Sequence, residues 1–309
     1  MNETLQKAKR KVPLTKRFWW PQMLYCIVVL IPVTFLYLII RIIPVAQTIW
    51  MSFYNWHLVK PDRPFIGLGN YAKLFKDQLF LDALRNTTVF AFVSVVTTLI
   101  VSLIIALMLE KTMRWKADTI YKVLFFLPVV PTFVSVSVIW KWIYDPSYGF
   151  LNYLVGLFGI KPRGWLIEPE LALWAIILFF VWKNIGYYMI LFLVGLKNIP
   201  SELYEAASLD GASSWQRIRH VTLPLLRPMT LFNLVMATMM AFNVFAPVYV
   251  MTMGEQGAPS NPVRVIVFDM YENGFRYLKM GYASAEATIL LVIVSLLTLL
   301  ELRLVRSEQ

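Results

Sequence analysis

Six apolar runs recur along the chain, each about the 20 residues that a helix needs to cross a bilayer. They cover residues 23–45, 87–109, 123–143, 171–196, 229–250 and 283–300. A chain built this way is expected to be an all-α, polytopic membrane protein with six transmembrane helices. Composition agrees: 59% hydrophobic and 15% charged residues exclude an ordinary soluble domain and a disordered chain alike. The third run carries Leu127-Pro128-Val129-Val130-Pro131 near its start, so its first turns are expected to be distorted. Prolines are tolerated in spans where neighbouring helices satisfy the backbone again.

Charge orients these runs. Of the 29 Lys and Arg, 16 fall before residue 23, in 110–122, in 197–228 and after the sixth run. Only 10 fall in the alternate connections, whose total length is greater. Cytoplasmic loops carry the basic excess, so both termini and 197–228 are expected in the cytoplasm. This gives a basic cytoplasmic N-terminus over 1–22, a membrane domain over 23–302 and a cytoplasmic tail over 303–309. The net charge of +11 is thereby read as topology and lipid-headgroup contact, with no nucleic-acid partner. The first run is too long for the apolar core of a signal peptide and lacks a small-residue cleavage site. Cys26 is alone, so no disulfide forms within the chain.

Between the fourth and fifth runs lies a long polar segment, 199–228, that itself reads as folded. Ser201 is positioned to cap a helix, with Glu202 and Glu205 in its first turn, where the helix dipole favours anions. Gly211 ends that helix. Ser213 or Ser214 caps a second one, carrying Trp215, Ile218 and Val221 at spacings of three. Pro224 and Pro228 stop it. A helix–glycine–helix elbow displayed beside the membrane is expected to dock another protein.

This elbow resembles the EAA coupling loop of binding-protein-dependent ABC importer permeases. The matching residues are Glu205-Ala206-Ala207, Asp210-Gly211-Ala212, Ile218 and Leu223-Pro224. The resemblance extends over about residues 20–305. It includes Phe65-Ile66-Gly67-Leu68-Gly69-Asn70-Tyr71, Leu127-Pro128, Gly149-Phe150-Leu151-Asn152, Gly195-Leu196 with Ile199-Pro200, Thr252, and Tyr282-Ala283-Ser284-Ala285. These resemble carbohydrate-type permeases of the maltose and glycerol-phosphate kind. The chain departs from them after Thr252: Met253-Gly254-Glu255-Gln256-Gly257 stands where the family has a Thr-Gly-Gly-Gly-Pro-like run.

What the resemblance implies is a type I ABC importer permease in a bacterial inner membrane. Its partners would be a second homologous permease, two cytoplasmic ATPase subunits, and a periplasmic or lipid-tethered solute-binding protein. Glu205 would form an ion pair with the ATPase, Ala206 and Ala207 would pack closely, and Gly211 would supply the bend, with Asp210, Leu223 and Pro224 completing the motif. ATP and Mg would be bound by the ATPase subunits, with no cofactor in this chain. The chain has no G-x-x-x-x-G-K-[ST] loop, and no catalytic constellation or metal-ligand spacing appears.

Polar residues inside the runs are candidates for a solute pathway, because a charge at a helix centre costs about 2.5–3.5 kcal/mol on insertion. Lys183, Asn184, Tyr187 and Tyr188 cluster in the fourth run beside Gly186, and Asn243 lies in the fifth. Amides can bond sugar hydroxyls while rings stack on C–H faces. The same residue types also make interhelical hydrogen bonds and interfacial belts. Trp140 and Glu286 are read as interface residues. An oligosaccharide is the expected solute. Glycerol-phosphate or an acidic sugar is the alternative, with Lys183 as counter-charge. A secondary transporter driven by an ion gradient, and a scaffold subunit without a pathway, are the rival classes.

Overall fold

The computed structural model describes residues 20–112, 117–253 and 261–306. The basic residues before 20, Arg114, Lys116 and the departure at 254–257 lie outside them. The chain divides into two units, Met1–Trp50 and Met51–Gln309.

The described residues of the first unit, from Trp20, belong to one long apolar helix. α1 (Trp20–Tyr37) passes through a π-helical turn, Leu38–Ile42, into α2 (Ile43–Met51). The apolar stretch Met23–Met51 has a mean hydropathy of 2.7, and it runs six residues beyond the expected end at 45. Pro44 follows directly on the π-helical turn, an irregularity in the hydrogen-bond ladder of the kind found where a helix takes in a residue with no N–H.

The second unit is all helical, with no β-strand among the described residues. A short α3 (Gly69–Leu74) precedes α4 (Gln78–Thr112). The third run forms α5 (Ala117–Phe126) and α6 (Phe133–Ile143), and α7 (Phe150–Gly156) leads to α8 (Pro169–Lys197). The elbow is α9 (Ser201–Leu209), α10 (Ser214–Arg217) and α11 (Leu223–Leu225). The fifth run is α12 (Arg227–Phe242) followed by α13 (Ala246–Thr252). Finally α14 (Ile266–Tyr271) and a π-helical turn, Glu272–Arg276, precede α15 (Met280–Arg306).

Five stretches are long and apolar enough to cross a membrane, and a sixth is so if the pair α5–α6 counts as one span. That pair corrects the expectation of a single span over 123–143 with distorted first turns. Its two halves, Thr119–Val129 and Phe133–Ile143, meet at 93°. Pro128 and Pro131 remove two backbone donors within four residues, which is enough to end one helix and start another.

The core lies where α4 packs on α8. Along α4 the buried positions Ala83, Thr87, Ala91, Ser94, Thr98, Ser102 and Ala106 recur every three or four residues, forming a stripe of small side chains. Small residues let helix backbones approach closely in lipid, where there is no hydrophobic gain from helix association. Ser102 Oγ reaches across to donate to the Ile185 carbonyl, 2.9 Å away. α12 packs against α4, α15 and α8.

At the end of the spans away from the elbow, single amides organise the loops. Asn70 Nδ2 donates to the Ser52 and Tyr54 carbonyls at 2.7 and 2.9 Å, beside a turn where Gly67 takes a φ of 54°. Asn152 donates to the carbonyls of Asp145, Pro146 and Arg163 and accepts from Arg163 N and Trp165 Nε1. Both asparagines sit in the short segments noted above as resembling sugar-type permeases. Their role here is to satisfy loop backbone that no helix or strand serves.

Candidate functional site

The elbow is built almost entirely from local chemistry. Pro200 sits extended at ψ 133° as the cap of α9, so Ser201 is the first helical residue rather than the expected N-cap, and no side chain caps this end. At the other end Gly211 takes a φ of 78°. Gly211 N donates to Ser208 O and Ala212 N to Ala207 O, at 3.1 and 2.9 Å. This pair of bonds is a Schellman motif, which needs a left-handed residue at its turn and therefore favours glycine. The spacing from Ala207 to Gly211 thus has a structural reason.

Ser213, not Ser214, caps the next helix. Its Oγ accepts from Gln216 N at 3.3 Å, and Gln216 Oε1 accepts from Ser213 N at 2.7 Å, which closes a capping box. The two helices are tied together by Arg217 Nη1 to Ser208 Oγ at 2.9 Å, and by the Tyr204 and Thr222 hydroxyls at 3.0 Å. A π-helical turn, Ile218–Thr222, then leads through Leu223 and Pro224 into α12.

Of the expected motif residues, Glu205, Ala206, Asp210, Gly211, Leu223 and Pro224 are exposed, and Ala207 is half-buried. Two apolar side chains that the sequence reading did not assign to docking stand beside them: Leu209 is 90% exposed and Trp215 66%. Large apolar groups presented on an exposed turn are what a protein partner buries.

The mid-span cluster is organised differently. Lys183 is 3% exposed. Its ammonium donates to the carbonyls of Pro128 and Pro131, both at 2.8 Å, and of Val129 at 3.4 Å, and it lies 4.8 Å from the centre of the Phe133 ring. Three donor sites thus meet three acceptors left over by the break between α5 and α6. Next to it, a Cβ on Gly186 would overlap the Phe125 carbonyl oxygen, so the end of α5 rests directly on the backbone of α8.

The other candidates divide. Asn184 is buried and donates to the Phe180 carbonyl of its own helix at 2.7 Å. Tyr187 is half-buried with its ring 5.1 Å from that of Tyr188, whose buried hydroxyl faces Met240 Sδ at 4.0 Å. Asn243 is exposed, at the break between α12 and α13, and donates to the Met239 carbonyl at 2.7 Å. Fifty-odd residues from Tyr188 in sequence, α12 therefore brings Met240 to it, and Asn243 follows at the end of that helix.

Two expectations about interface residues are corrected. Glu286 is fully buried and accepts from Asn273 Nδ2 at 2.9 Å, because the Glu272–Arg276 turn folds over the start of α15. Trp140 packs inward, with its ring 5.0–5.6 Å from those of Tyr144, Phe179 and Trp182.

Comparison with known proteins agrees with this architecture. The family described as "Binding-protein-dependent transport system inner membrane component" matches residues 99–307. A probable ABC transporter permease of Bacillus subtilis, YurN, is 35% identical over 273 residues, covering 88% of this chain and 92% of the relative. The trehalose/maltose transport system permease protein MalF of Thermococcus litoralis is 34% identical over 281 residues, covering 91% and 93%. In fold, the chain resembles a chain from the crystal structure of a bacterial ABC transporter involved in the import of the acidic polysaccharide alginate. The TM-score is 0.80 at 24% identity, over 93% of this chain and 96% of that one. The chain therefore belongs to the binding-protein-dependent transport system inner membrane component family, and it is a multi-pass permease of the ABC importer type.

Proposed function

We propose that this chain forms half of the translocation pathway of an ABC importer for a neutral carbohydrate. The remaining parts would be a second, homologous permease, two cytoplasmic ATPase subunits that bind ATP and Mg, and a solute-binding protein on the opposite side. Both termini and the elbow would face the cytoplasm, as the basic bias suggests. The observation that carries the coupling role is the elbow: an exposed, internally braced turn bearing the motif residues and continuous at both ends with spans. The relative named for trehalose/maltose transport supports carbohydrate as the solute class. Lys183 supports a neutral one, since its ammonium is already engaged by three carbonyls.

The mechanism follows from how the elbow is tied. ATP binding closes the ATPase pair around the elbow. Because α9 follows α8 after only Asn198, Ile199 and Pro200, a displacement of the elbow pulls α8. α8 grips the break of the third span through Lys183 and Gly186, so α5 and α6 move with it. Pathway walls formed by Tyr187, Tyr188 and Asn243 would then exchange the side to which they open. Asn184 would hold the helix at that level. A physical chain of packed elements of this kind is what transmits a switch across a membrane.

Vesicles containing the complete transporter test this reading. ATP-dependent uptake of radiolabelled maltose or trehalose, lost when the ATPase subunits are omitted, is the expected result. Uptake by this chain alone, abolished by an uncoupler and indifferent to ATP, would overturn it.

A further inference from the structure

At the end of the spans away from the elbow, the last turn of α13 borders a cavity of about 630 Å³. Its walls come from α13, α14 and the Glu272–Arg276 turn, and none of the pathway candidates lines it. Aromatic rings dominate. Tyr249 and Tyr271 lie 5.2 Å apart, Tyr271 and Phe275 5.6 Å, and Tyr249 and Phe268 6.4 Å. Phe268 is buried behind them, whereas Tyr271 is 36% and Phe275 62% exposed. Partly exposed rings therefore line the cavity over a buried one.

The polar side of the cavity is equally fixed. Glu272 is held by two guanidiniums: Arg264 Nη1 at 3.1 Å on one oxygen and Arg276 Nη1 at 2.7 Å on the other. Arg264 Nε also pairs with Asp269 at 2.6 Å. Arg264, Asp269 and Glu272 are buried, and Arg276 reaches outward from them. Burial pulls the Arg264 guanidinium down, and the carboxylates of Asp269 and Glu272 more than offset that. The Glu272 hydrogen bond raises Arg276 above its ordinary value. Arg276 thus offers its remaining N–H fork from a fixed anchor, and its charge is already balanced by Glu272.

We propose that this cavity is an entry subsite for one or two units of a neutral saccharide, separate from the mid-span positions and occupied before them. Flat apolar C–H faces suit the Tyr249, Tyr271 and Phe275 rings, hydroxyls suit the Arg276 fork and the tyrosine hydroxyls, and compensated charge favours an uncharged ligand over an anion. The volume lies within the range of small-molecule pockets. The inference rests on the carbohydrate reading and adds a location and an order of binding.

The test uses the intact transporter in lipid nanodiscs with diazirine derivatives of maltose and trehalose, cross-links being mapped by mass spectrometry. The expected result is labelling within 249–276, competed by the parent sugar and not by glycerol 3-phosphate. Tyr271→Ala should cut labelling and raise the half-saturating sugar concentration for uptake by about five- to ten-fold, with maximal rate within about two-fold. Tyr271→Phe, which keeps the ring and loses one hydroxyl, should fall between wild type and Tyr271→Ala in both readouts, which separates a lost ring from a lost fold. Labelling only around 183–188 and 243, with Tyr271→Ala silent, would overturn the subsite and leave the carbohydrate reading standing. Equal competition by glycerol 3-phosphate would also overturn it. No sugar-specific labelling together with no sugar uptake would overturn both.

Discussion

The elbow and the break in the third span solve the same problem in opposite ways. Each is a place where helices end and backbone groups lose their partners. The elbow closes its ends with residues a few positions away: Gly211 and Ala212 serve carbonyls of α9, and Ser213 with Gln216 serves α10. The third-span break closes its ends with Lys183, more than fifty residues further along. A water-facing turn can rely on local bonds and on solvent. A break among apolar helices has no solvent to rely on, so another helix must supply the donors. The first arrangement leaves a self-sufficient surface module, and the second welds two spans together.

That difference sets the expected size of substitutions. Gly186→Val should be the most damaging, because the Phe125 carbonyl it would strike belongs to backbone and cannot rotate away. Overpacking of this kind costs about 1–3 kcal/mol or more, and the variant is expected to accumulate poorly in membranes, as read by immunoblot. Lys183→Met comes next. Three carbonyls lose their donor, at about 1–3 kcal/mol each, while the relief of an intramembrane charge returns about 2.5–3.5 kcal/mol. A net destabilisation should appear as a lower midpoint of thermal unfolding in nanodiscs, with Lys183→Arg milder. A midpoint unchanged in Lys183→Met would break the comparison, since the weld would then be dispensable.

Elbow variants should behave in the reverse sense, with small effects on the fold and large ones on coupling. Gly211→Asp places a side chain at a φ of 78° in open space, so strain of about 1–2 kcal/mol stays local. Insertion should be normal and ATP-driven uptake lost. Wild-type uptake by this variant would remove Gly211 from the coupling role. Ser213→Ala should cost about 1 kcal/mol at one helix end, visible as faster amide exchange over 214–217 and little else.

The contrast also explains what could be read from the sequence. Gly211 as a helix end and a serine at 213 or 214 as a cap announce their structure because each partner lies within a few residues, although only the fold chooses Ser213 and pairs it with Gln216. Ser201 misled because Pro200 took the extended cap position one residue earlier. Leu127-Pro128 and Pro131 signalled distortion, but its size, 93°, depends on a tertiary partner that periodicity cannot reveal. Lys183 was conspicuous as a charge in an apolar run. Its carbonyl partners were not, because backbone acceptors leave no trace in composition. Glu286 was misplaced for a related reason: only the fold brings Asn273 to it. Leu209 and Trp215 are ordinary apolar residues in sequence, and only their exposure in the fold draws attention to them.

The central claim is that the elbow is where an ATPase pushes. A photo-reactive phenylalanine analogue at position 209, illuminated in native membranes with the remainder of the transporter present, asks this directly. The expected product is an adduct between this chain and an ATP-binding subunit, with a yield that changes when ATP is bound. Adducts only with lipid, or only with another copy of this chain, would contradict the account.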